Sequence, residues 1–335
     1  ERLLAIATRL GYQDAHYATH RVEVDLDRHA ADVALTLQTG RRHVVSSVSF
    51  EASRFADSYL ERYLVVEPGM PFNRDLLSRQ RRALSSSGHF SDVTVEAGTP
   101  GEGEQAEVPL ELRLTPFKAN RYRGRLGWGT ETGVGGQLDW TRRHFGRHGH
   151  RFNLGVTAVQ ERERFAGDFR YQIPVDPLNG RNLELGIRHE SKDLNFTDVD
   201  LEEGGATRIA ANLASLFLNL PETRLGVFDV RTAVGISYAS ESYDVFEVLF
   251  GNLPDEVQQD LIEIIGDEAY DTLAPDFRAT IPELRVSLRH ADNRRFIRRG
   301  DYVDLRLLGS HEDFASNIGF WQARLNHWSI FPVGQ

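Results

Sequence analysis

Apolar residues keep two different rhythms along this chain, and the change falls near residue 118. In the first stretch Leu3, Leu4, Ile6, Ala7 and Leu10 recur at helical spacing, and Gly11 follows where a helix-ending glycine belongs. Val22, Val24 and Leu26, then Val33, Leu35 and Leu37, alternate as two strands joined by a short turn. Val44–Phe50 alternates again. Phe55–Tyr63 and Asn73–Ser87 read as helices, the second opened by Pro71 with Asn73 as its cap and closed by Gly88. Phe90–Glu96 and Glu107–Leu114 complete a β-α-α-β-β order. The segment Leu3–Leu37 matches Leu76–Leu114, an internal repeat of about 75 residues. The sheet of such a module leaves an edge strand open to pairing with another chain.

From Asn120 the rhythm is period two throughout. Tyr122, Gly124, Leu126 and Trp128 alternate with Arg121, Arg123 and Arg125. Leu183, Leu185 and Ile187 alternate with Glu184 and Arg188, and Val303, Leu305 and Leu307 with Asp304 and Arg306. Ten runs stand near 120–130, 134–142, 150–160, 163–173, 181–191, 206–219, 225–240, 281–290, 300–309 and 317–329. Each is about 9–13 residues, longer than the 5–6 usual in soluble domains and matched to a tilted membrane strand. An Arg at mid-membrane on the lipid face costs about 2–4 kcal/mol, whereas one facing a wet lumen costs little. A soluble β-sandwich would show the same parity, so strand length and number carry the barrel reading. Aromatics near strand ends, such as Trp128, Trp140, Trp321 and Trp328, fit an interfacial girdle.

The connections alternate as well. Arg142–His150, Pro174–Gly180, Leu220–Leu225 and His290–Arg299 are short and basic or turn-rich. Glu190–Gly205 and Glu241–Thr280 are long and acidic, and Pro254–Gly266 in the second has helical spacing. Short turns on one side and long loops on the other are the barrel arrangement.

Composition adds exclusions. No stretch approaches the ~20 apolar residues of a membrane helix, and a mean hydropathy of −0.41 says nothing against a barrel. With no cysteine, disulfides and thiolate metal sites are excluded. A net charge of −10 argues against a nucleic-acid partner. His144, His148 and His150 cluster in one turn but lack a carboxylate nearby, which favours a solvated basic turn over a metal site. Asp198, Asp200, Glu202 and Glu203 do not keep EF-hand spacing and read as a solvated loop. No Ser/His/Asp set can be assembled on the barrel rim, and no cofactor site is predicted.

Three segments carry a family resemblance. Phe72–Leu84 with Ser87-Gly88-His89-Phe90 is like the second helix and turn of a final polypeptide-transport-associated (POTRA) domain. Arg121–Trp128 with Gly133–Trp140 resembles a first barrel hairpin. The turn holding Phe145, Gly146, Gly149 and His150 is like the N-L-F-G-x-G turn after the second strand, with His144 where that pattern has Leu. Together they resemble the BamA/TamA outer-membrane assembly superfamily, most closely its TamA branch. The resemblance implies α+β POTRA modules followed by an antiparallel transmembrane β-barrel, with about ten of an expected sixteen strands present. Residues 1–40 would be the C-terminal part of one POTRA domain, 41–118 a complete one, and 119–335 the barrel's first part. The closing strands and a lumen loop are expected beyond Gln335. It also implies a non-enzymatic role in inserting autotransporters and other barrels, with no cofactor. The expected partners are nascent outer-membrane proteins, a TamB-like inner-membrane-anchored protein and outer-membrane lipid. Localisation would be the outer membrane, with POTRA domains in the periplasm. The lateral gate falls on Arg121, Tyr122, Arg123, Gly124, Arg125, Leu126, Gly127 and Trp128. Its glycines either weaken the strand for opening or relieve crowding in a curved sheet. A two-partner secretion transporter and a passive structural barrel are the alternatives.

Overall fold

The computed structural model describes residues 2–51, 53–130, 133–160, 164–195, 206–251, 253–293 and 296–332. The chain divides into two compact units, residues 1–118 with 146–148, and the remainder.

In the first unit α1 (Arg2–Arg9) leads into an antiparallel pair, β1 (His16–Asp25) and β2 (Ala30–Gln38). Then come β3 (Arg42–Phe50), α2 (Asp57–Leu60), α3 (Arg74–Ser86), β4 (Phe90–Ala97) and β5 (Gln105–Pro116). The sheet order is β3-β5-β4, with β3 parallel and β4 antiparallel to β5. Alternate residues of β5, from Ala106 to Leu112, point into the core, as its period-two pattern demands. Phe55, Tyr59, Leu60, Leu84 and Leu112 form one buried cluster, and Val45, Val66, Leu76, Val108 and Leu110 a second.

The segment expected as one helix over Phe55–Tyr63 instead makes four α-helical residues followed by a 3-10 turn, Glu61–Tyr63. Gln80 supplies the reason. From a fully buried site on α3, its amide donates to the Tyr63 carbonyl (3.1 Å) and accepts from Val65 N–H (2.8 Å). Those are backbone groups a continuing helix would pair internally. Gln80→Leu leaves both buried without partners, so we expect a loss of about 2–4 kcal/mol, read as lost hydrogen-exchange protection at Val65.

Asn73 caps α3 as predicted, accepting from Leu76 N–H at 2.8 Å. It also acts backwards, donating to the Arg9 carbonyl at 3.0 Å. The next two carbonyls at the end of α1 are taken in the same way, Leu10 by Arg42 Nε (3.1 Å) and Gly11 by His43 N–H (2.8 Å). The expected open edge proves one-sided. The outer edge of β3 is covered along its first part, with Val45 N–H on Met70 and Phe72 N–H on His43, while β4 ends the sheet on the other side.

Among the described residues the second unit holds ten long strands. They are β6 (Asn120–Gly129), β7 (Gly133–Phe145), β8 (His150–Val159), β9 (Arg164–Asp176), β10 (Arg181–Asn195) and β11 (Ala206–Asn219), then, past a short β12 (Thr223–Leu225), β13 (Phe228–Ser242). After three helices, α4 (Val245–Phe250), α5 (Asp255–Ile265) and α6 (Asp267–Leu273), come β14 (Asp276–Ala291), β15 (Gly300–Ser310) and β16 (Phe320–Ile330). Every ladder is antiparallel between neighbours in sequence, in the order β6 to β16, with β12 hanging off β13. The ten expected strands are all present. Strand β14 starts five residues earlier than its alternation suggests. The helical spacing seen at 254–266 becomes α5, and it is flanked by two helices the pattern did not reveal. The sequence of α4, VFEVLF, suits a strand, but Asp244 accepts from Glu247 N–H at 2.8 Å and starts a helix. Phe246 then packs on Phe250 and Tyr270.

The sheet is inverted relative to a soluble protein. One face carries Ile187, Val234, Ile236 and Leu325 at 46–67% exposure. The opposite face buries Ser237 and Glu283 to 5% or less. A soluble sandwich hides its apolar face. This inversion suits apolar solvent outside and water inside, and it resolves the ambiguity that parity left open.

Candidate functional site: the first barrel strand

Strand β6 pairs only with β7 among the described residues, and its other edge has no strand neighbour there. The register sets Arg121, Arg123 and Arg125 opposite Thr141, Asp139 and Gln137, on the polar face. Tyr122, Gly124, Leu126 and Trp128 share the outward face, where Leu126 is 89% exposed. Tyr122 stacks on Trp140 at 6.2 Å with rings nearly parallel, and Trp140 Nε1 donates to Asn120 Oδ1 at 3.3 Å. These contacts fasten one end of β6.

Towards the other end the ladder to β7 continues as far as Gly129, but it runs between glycines, Gly127 opposite Gly135 and Gly129 opposite Gly133. A Cβ added at Gly124 or Gly127 would meet nothing within 4 Å. Among the described residues, crowding therefore does not call for glycine at either position. The same test at Gly235 gives the opposite answer, because a Cβ there would collide with the Phe217 ring.

The polar face beyond β6 is lined by ion pairs. Glu190 is held by Arg164 (2.9 Å) and Arg188 (2.8 Å). Glu283 of β14 is the most enclosed carboxylate there. Arg285 Nε donates to it at 2.5 Å and Arg306 donates to both of its oxygens. The Arg285 guanidinium also lies over Phe217 at 4.0 Å. Sequence reading did not single out Glu283. Its signal was the acid–base spacing of Glu283 and Arg285 on one face of a strand.

The turn between β7 and β8 uses its motif residues in different ways. Gly146 and Gly149 both adopt φ of +68°, a region that glycine enters without steric cost. The Phe145 ring makes edge contacts with Phe152 and Tyr171. His150 Nδ1 lies 2.7 Å from the Tyr171 hydroxyl. The expectation of a solvated basic turn fails at His144, which is fully buried. Among the described residues no group of three or more His, Asp or Glu is arranged for a metal ion. The acidic stretch 198–203 lies outside the described residues.

A Ser/His/Asp grouping does exist, on the outward face at the ends of β15 and β16. Ser329 Oγ donates to Asp301 (2.6 Å), and His327 Nε2 lies 3.5 Å from the same carboxylate. Ser329 Oγ also lies 3.2 Å from His327 Nε2, so the same imidazole nitrogen faces both the hydroxyl and the carboxylate. The carboxylate thus contacts the serine directly instead of backing the imidazole from its far nitrogen, the arrangement of a polar clasp between strands.

Residues 43–116 match the POTRA family, the surface antigen variable number repeat. Nearly the whole chain, 98%, shares the fold of BamA from Haemophilus ducreyi lacking POTRA domains 1–3, with TM-score 0.67 and 16% identity, covering 60% of that chain. CdiB from Acinetobacter baumannii matches 97% of this chain and 54% of its own at TM-score 0.53 and 14% identity. CdiB from Escherichia coli matches 97% and 56% at TM-score 0.55 and 11% identity. The chain thus spans 54–60% of the length of these three structures. The class is a POTRA domain followed by an antiparallel sheet of membrane-barrel type. More particularly, the fold is the one seen in BamA and in CdiB.

Proposed function

We propose that this chain belongs to a TamA-like outer-membrane assembly factor that inserts autotransporters and other barrel proteins, without enzymatic chemistry. In this reading residues 1–40 and 41–118 are successive POTRA modules in the periplasm. Residues 119–335 are the leading part of the barrel, with the short turns on the periplasmic side. Clients, outer-membrane lipid and a TamB-like protein are its partners. Strand β6 acts as a lateral gate: its edge away from β7 templates an incoming strand through backbone hydrogen bonds. The observation that carries this reading is the combination, in the strand that directly follows the POTRA domain, of exposed outward aromatics at Tyr122 and Trp128 with Gly124 and Gly127, which no described neighbour crowds.

A photo-crosslinker at Tyr122 or Leu126 of the full-length protein in growing cells tests it. Crosslinks to nascent barrel clients are expected at these positions and not at Tyr238, mid-sheet. Absence of client crosslinks at β6, with the protein folded and abundant, overturns it. The likeness to the CdiB fold favours one second reading, export of a dedicated substrate through the lumen. Crosslinks from Glu184 and Ser215, on the polar face, would then replace those from β6.

A further inference from the structure

The polar face of β6 carries three guanidiniums, at Arg121, Arg123 and Arg125, and none makes a hydrogen bond or ion pair among the described residues. The one carboxylate set opposite them, Asp139, instead accepts from Gln137 Nε2 at 3.1 and 3.3 Å. Further along this face Arg125 shares a cleft with Arg164, Glu190 and Lys192. Glu190, the acid of that group, is already held by Arg164 and Arg188. Among the described residues this row of charge is thus matched by one carboxylate across the ladder, Asp139 opposite Arg123, and by no ion pair, in a chain whose net charge is −10.

Pairing fixes what this row would meet. Side chains directly opposite across an antiparallel ladder lie on the same face. A strand added to the edge of β6 away from β7 sets alternate residues against Arg121, Arg123 and Arg125. Its intervening residues fall on the outward face with Tyr122, Leu126 and Trp128. Opposite charges across a ladder stabilise it and like charges directly opposite destabilise it. We infer that β6 selects among incoming strands by charge, favouring a segment with Asp or Glu at every second position on the lumenal face and apolar residues between. This inference rests on the reading of β6 as the templating strand and adds the chemistry of the strand it accepts.

The test uses the full-length protein in lipid vesicles and three photoreactive peptides of equal length. They alternate leucine with aspartate, with asparagine or with lysine. Labelling of residues 119–130 is located by mass spectrometry. We expect the aspartate peptide to label this strand about tenfold more than the lysine peptide, about 1.4 kcal/mol. The asparagine peptide should fall between them. The preference should shrink as salt rises from tens to hundreds of millimolar, because the lumen is wet. In R121E/R123E/R125E the order should invert. Equal labelling by all three peptides overturns the charge selection and leaves the templating reading standing. Labelling of β6 by none of them overturns the templating reading itself. An aspartate preference that survives R121E/R123E/R125E also overturns the inference, since the selectivity would then lie elsewhere.

Discussion

Glu283→Ala is expected to destabilise the barrel sheet by about 2–4 kcal/mol, seen as a lower temperature for loss of the folded band in heat-modifiability gels. The Glu283 side chain is 2% exposed and accepts from two guanidiniums. Its removal leaves Arg285 directly opposite Arg306 in the ladder, two like charges with the carboxylate between them gone. Both arginines are 36–44% exposed. Water therefore compensates part of the loss, which holds the figure below that of a wholly buried triad. Removing one cation as well should recover part of the stability, so Glu283→Ala/Arg306→Ala should melt above Glu283→Ala alone. A Glu283→Ala protein within about 0.5 kcal/mol of the parent would show that lumenal water replaces the carboxylate fully.

The second large effect belongs to the POTRA core. Leu84 is fully buried among Phe55, Tyr59, Leu60 and Leu112. Leu84→Ala removes the packing between α3 and the sheet, and we expect a cost of about 3–5 kcal/mol. Hydrogen exchange on the intact protein should show β4 and β5 losing protection together with α3, while β13 and β14 keep theirs. Protection lost in α3 alone would mean that the helix opens independently of the sheet.

These predictions differ in how far the sequence foretells them. Leu84 is visible at once, because helical spacing and the Gly88 stop define a buried face without any knowledge of the sheet. The ten barrel strands are equally legible, since alternation sustained over such lengths, ten times in succession, suits a membrane barrel and little else. The segment after Phe55 is not. Its helix is cut short by Gln80, and nothing local says that a side chain fifteen positions away takes Val65 N–H. For α4, β-formers mask a helix that a single Asp244 cap decides. His144 reads as solvated because neighbouring arginines suggest water, whereas burial depends on the surroundings of the turn. The β6 arginines can be read as a lumen-facing row. That they make no ion pair among the described residues cannot, because it depends on Asp139 turning to Gln137.

The three carbonyls at the end of α1 have a consequence for how such a chain is put together. Arg9, Leu10 and Gly11 all end on donors from the segment that follows, Asn73, Arg42 and His43. A helix whose last carbonyls are finished by its successor is incomplete alone. Turning α1 against the segment 42–73 therefore means breaking named hydrogen bonds to fixed backbone atoms. Asn73→Asp isolates one of these bonds: it keeps the cap on α3 and removes the donor to Arg9.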